Sequence, residues 1–90
     1  MIYLYHHAPG TRWLARMTDR NTAHIVTPPR GDIELSEDTY ITPSGAVHQL
    51  GEYTTIGGED AHRIHRLLHD GHHSLALDAA RLLWLQTDRV

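Results

Sequence analysis

The 90-residue chain contains no cysteine, so disulfide frameworks, thiolate zinc sites and cysteine nucleophiles are excluded at once. Lysine is absent too, and all eight basic residues are arginine, which GC-rich coding usage explains as well as any demand for bidentate hydrogen bonding. Long apolar runs are missing. The opening Met1-Ile-Tyr-Leu-Tyr-His-His has no basic leader and only a short apolar stretch, so the reading is neither signal peptide nor membrane span but a cytoplasmic chain without membrane association. Catalytic signatures are absent as well. The sequence has no His-Glu-x-x-His, Gly-x-Ser-x-Gly or Gly-x-Gly-x-x-Gly, and Gly57-Gly58 lacks the lysine that a phosphate loop uses. A non-enzymatic protein with no cofactor and no metal is expected. Arg30-Gly31-Asp32 matches an integrin-recognition tripeptide, a signal of high chance frequency that carries no weight inside a cell.

Charge is present but unevenly placed. Net charge is −3, yet the middle thirty residues hold seven acids and no arginine, whereas the first and last thirty each hold four arginines. Nine histidines make the charge strongly dependent on pH, since imidazoles exchange protons in the mildly acidic range.

Periodicity divides the chain into a sheet half over residues 1–56 and a half of two helices over 57–90, read together as a single domain. Ile2 and Leu4 alternate with Tyr3 and Tyr5 as in a strand, and this N-terminal strand should lie inside the sheet. Residues 12–17 fit a strand with Trp13, Ala15 and Met17 on one face, or a short helix behind Thr11; strand is favoured because turn residues and the β-branched Ile25-Val26-Thr27 follow. Pro28-Pro29 ends that hairpin. Asp32-Ile33-Glu34-Leu35 alternates acid with aliphatic, Thr42-Pro43-Ser44-Gly45 is turn-like, and 46–50 and 52–56 are short β-type runs around Gly51. From Gly57 the period becomes helical, with Ala61, Ile64, Leu67 and Leu68 on one stripe, Gly71 as a stop and Ser74 as the cap of a second, largely apolar helix. The expected fold is α+β: a four- to five-stranded, mainly antiparallel sheet with two C-terminal helices packed on one face. Its expected core is Ile2, Leu4, Trp13, Ile25, Ile33, Ile41, Ile64, Leu68, Leu77, Leu83 and Trp84.

Two clusters can carry function. If 32–35 is a strand, Asp32 and Glu34 project from one face, Glu37 and Asp38 extend the charge around the turn, and Glu52 joins from a later strand. Such a face is complementary to basic surfaces, many of which bind nucleic acid. These five carboxylates are the predicted partner-binding residues of a small inhibitor-like module whose partner is a protein or a protein–nucleic acid complex. A phage or mobile-element inhibitor of a CRISPR or restriction complex has this size and charge. Direct nucleic-acid binding is not expected, because the arginines form no long stripe. The alternative rests on His62, His65 and His69, spaced to share one helix face, as a transition-metal or pH-responsive regulator. A third reading is an assembly subunit that dimerises through Leu82, Leu83 and Trp84.

Overall fold

The computed structural model describes residues 1–28 and 30–87; Pro29 and residues 88–90, the last of the half expected to be helical, lie outside the described residues. Seven strands precede two helices: β1 Tyr3–Ala8, β2 Thr11–Met17, β3 Thr22–Ile25, β4 Gly31–Ser36, β5 Thr39–Ile41, β6 Val47–Gln49, β7 Glu52–Ile56, α1 Gly58–His69 and α2 His73–Thr87. All are antiparallel to their neighbours, and the sheet order is β6-β5-β4-β3-β2-β1-β7.

That order forces curvature. Seven strands laid flat place the outermost pair roughly 29 Å apart at about 4.8 Å per spacing. Yet only Leu50 and Gly51 separate β6 from β7, and so short a link reaches about 11 Å at most. The sheet therefore curls into a half-barrel whose two edges approach each other at the Leu50–Gly51 corner. A hydrogen bond from the Leu50 N–H to the Asp38 carbonyl at 2.6 Å ties this corner to the β4–β5 turn, and Gly51 adopts the positive φ of 64° that the bend requires.

The expectation of four or five strands is thus corrected to seven in a curled sheet. Strands β5 and β6 are three residues each, so β-type runs such as 46–50 give no sign that all of them join one sheet, and curling lets a small chain accommodate them without a long exposed edge.

Curvature also creates two cores. On the concave face Leu4, Trp13, Ala15, Ala23, Ile25, Ile33, Tyr40 and Leu50 pack together. On the convex face Tyr3, Tyr5, Leu14 and Ile56 meet Ala61 and Ile64 of α1 and Ala76 and Ala80 of α2. The central strands β1 and β2 are consequently covered on both sides, which is why Tyr3 and Tyr5 are as deeply buried as Leu4. Two core expectations need correction. Ile2 is 48% exposed, because it precedes β1 at the open end of the half-barrel, and Ile41 is only half-buried, since it faces outward beside Val47.

Helix α1 ends in a glycine cap: the Gly71 N–H donates to Leu68 and the His72 N–H to Leu67, with Gly71 at φ 82°. Ser74 does not start the second helix as expected; α2 begins one residue earlier, at His73. This tight reversal stacks α1 against α2 and sets His69 and His73 at the same end of the helical layer.

Candidate functional site

Strand β4 carries the acidic alternation outward. Ile33 is buried in the concave core, while Asp32 and Glu34 are exposed on the convex face. Glu37 and Asp38 form the two-residue turn into β5, and both are exposed. Glu52 belongs to β7, at the opposite end of the sheet order, but it follows the corner that Leu50 fastens to Asp38. The structure therefore gathers Glu37, Asp38 and Glu52 around one corner, with Glu34 and Asp32 running away from it along β4. Among the described residues, Glu34, Glu37, Asp38 and Glu52 form no ion pair. Asp32 differs: the His24 imidazole Nδ1 sits 2.7 Å from its Oδ1.

Glu37 stands out in its backbone as well as its charge. Its φ of 51° makes it the single non-glycine residue with positive φ among the described residues. A left-handed conformation costs a side-chain-bearing residue about 1–2 kcal/mol, which glycine avoids.

The histidine trio of α1 is not packed together. His65 and His69 stack with ring centroids 6.3 Å apart, and His65 Nδ1 lies 3.1 Å from the Tyr3 hydroxyl, but His62 is exposed and makes no ring contact with either. Among the described residues no group of three or more His, Asp or Glu side chains is arranged to hold a metal ion.

What the sequence reading missed is a cross-sheet arrangement. Register aligns Tyr3, Arg16, His24 and Asp32 side by side across β1 to β4. Because the helices lie over this face, Arg16, His24 and Arg30 come to line one wall of a cleft of about 190 Å³ and His65, His69 and His73 the other. Burial pushes the Tyr3 phenol pKa above its ordinary value, and the Arg16 charge partly opposes that rise. No spacing rule in the sequence marks this set; only the strand register brings it together.

Inside the half-barrel a second aromatic group forms. His6 stacks on Trp13 at 4.8 Å between ring centroids, Trp13 meets Tyr40 edge-on at 5.3 Å, and His48 stacks on the outer side of Tyr40 at 5.1 Å. His6 is buried and its Nδ1 has no hydrogen-bond partner among the described residues. Burial lowers its pKa, a hydrogen bond with the Leu50 backbone works against that, and nearby His7 adds slightly to the lowering.

The expected dimer patch is not one surface. Leu82 is 60% exposed, whereas Leu83 packs on the convex core and Trp84 stacks on His7 at 4.3 Å. Among the described residues no helix is long and apolar enough to cross a membrane. Comparisons with protein families, with characterised proteins and with solved structures find no match for this chain.

Proposed function

We propose that this chain is a non-enzymatic binding module of the cytoplasm that occupies a basic, nucleic-acid-binding surface on a protein or protein–nucleic acid complex. Its contact residues are Asp32, Glu34, Glu37, Asp38 and Glu52. The observation that carries the reading is Glu37, a carboxylate held at φ 51° at the tip of an exposed acidic turn. A non-glycine residue kept in a disfavoured conformation on a surface turn points to a role for its side chain, because folding alone favours glycine there.

Supporting it, four of the five carboxylates are uncommitted to internal ion pairs among the described residues, so their field is directed outward. Complementary charge mainly accelerates encounter and fixes orientation, the properties needed to compete with nucleic acid for a binding groove. An inhibitor of a CRISPR or restriction complex encoded by a phage or mobile element is the form of this activity that size and charge favour, by analogy and not by motif.

The test is competition: purified effector complexes of both kinds are loaded with labelled DNA and challenged with this protein and with the Asp32→Arg/Glu34→Arg/Asp38→Arg variant. The expected result is DNA release by the native chain, with the variant at least about tenfold weaker at low salt and an unchanged circular dichroism melt. Failure of the native chain to release DNA from any complex, or equal potency of the variant, overturns the proposal.

A further inference from the structure

The cleft between the convex sheet face and the helices is the strongest unassigned site. Arg16 of β2, His24 of β3 and Arg30 of the β3–β4 connection face His65 and His69 of α1 and His73 of α2 across it. These six cationic or protonatable groups come from five separate segments of a chain whose net charge is −3, and like charges brought together repel. Hydrophobic packing does not require the arrangement: only Val26 and Leu68 contribute aliphatic surface to the cleft. Neither arginine is neutralised internally, since among the described residues Arg16 and Arg30 enter no ion pair.

Two neighbours fix the imidazoles. The Tyr3 hydroxyl of β1 bonds to His65 Nδ1 at 3.1 Å; with the hydroxyl donating, the remaining N–H of His65 is on Nε2 and free to donate. On the opposite wall, the Asp32 carboxylate of β4 accepts from His24 Nδ1 at 2.7 Å. Donors thus stand on two facing walls. A planar carboxylate offers its two oxygens in one plane, whereas a tetrahedral oxyanion can accept from both walls at once, and guanidinium groups match phosphate oxygens in pairs.

We propose that this cleft binds a phosphoryl-class oxyanion, with Arg16 and Arg30 as permanent charges and the histidines as donors that strengthen binding in mild acid. The ligand is either free phosphate or the phosphoryl group of a monoester. The cleft shares only Asp32 with the acidic surface, through its contact with His24, and the arginine variants that test the cleft leave every carboxylate of that reading in place.

The experiment is calorimetric titration of the full chain at low ionic strength, with histidine ring proton resonances followed in parallel. Sulfate, whose charge is constant across the range, is compared at pH 6 and pH 8; inorganic phosphate and glycerol phosphate are compared at pH 6. Expected is saturable binding tighter than about 1 mM at pH 6, shifts confined to His24, His65, His69 and His73, and affinity about tenfold or more weaker at pH 8 as charge-assisted bonds are lost. Arg16→Gln and Arg30→Gln should each weaken binding about tenfold, while Arg20→Gln, in the β2–β3 turn outside the cleft, leaves it unchanged. Binding of phosphate alone identifies the free ion, and binding of the ester identifies a phosphoryl-bearing ligand. Absence of saturation, an equal response to chloride at matched ionic strength, equal sulfate affinity at the two pH values, or unchanged binding in both arginine variants overturns the proposal.

Discussion

His6 and Trp13 face each other across β1 and β2 with their rings 4.8 Å apart and tilted by only 24°, and the Tyr40 ring meets the imidazole edge-on at 5.9 Å in the concave core. A charged imidazole in that place is disfavoured, and burial accordingly lowers the His6 pKa. In the unfolded chain histidine takes up its proton near pH 6.5. Below that value the unfolded state binds the proton first, so the stability that His6 contributes is complete above about pH 6.5 and declines as pH falls toward its folded pKa. The native protein should therefore lose more stability between pH 7.5 and pH 5 than His6→Phe does. Denaturant melts at the two pH values measure the difference, and identical losses would refute the assignment.

The acidic turn makes a prediction in which stability and binding move in opposite directions. Glu37→Gly should relieve the positive φ and raise stability by about 0.5–1 kcal/mol, about 2–8 °C in melting temperature for a chain of this size. The same substitution should weaken partner competition. A variant that is less stable, or more stable with undiminished competition, contradicts the role given to Glu37.

At the helical reversal, Gly71 has open space around the position of a Cβ but a φ of 82°. Gly71→Ala should cost about 1 kcal/mol through the backbone alone. Since the turn aligns His69 with His73, oxyanion affinity at the cleft should fall as well. Thermal melts and sulfate titration of the same variant test both effects.

Leucine and tryptophan on one helix should respond very unequally to substitution. Leu82→Arg, at a largely exposed position, should alter stability by no more than about 0.5 kcal/mol. Trp84→Ala removes the ring stacked on His7 and set 6.4 Å from Tyr5, with an expected loss of about 2–4 kcal/mol. Light scattering on Leu82→Arg also asks whether two copies associate through this leucine.

Much of the strand content is legible in local alternation. Asp32-Ile33-Glu34 announces its own two faces, and Trp13 and Ala15 share a face as their spacing dictates. What local pattern does not carry is how strands meet. Tyr3 and Tyr5 read as the second face of an amphipathic strand, but β7 on one side and the helices above bury them. The cleft was hidden for the same reason: Arg16 and His24 pair within the β2–β3 hairpin, but local pattern does not show that His65, His69 and His73 of the helices come to face them. Glu52 was placed among the acidic residues by charge alone, whereas its nearness to Asp38 depends on the bend at Leu50. The strand count fell short because short β-type runs such as 46–50 do not show in sequence how many of them pair into one sheet.

Closure by β7 has a consequence in time. During synthesis β1 finds β2 within a hairpin's reach, but its other neighbour is not complete until Ile56 exists to pair with Tyr3. Pairings between such distant parts of a chain form slowly. A nascent chain halted before Glu52 therefore holds β1 paired along one edge only, and the sheet cannot reach its native pairing until β7 has been made.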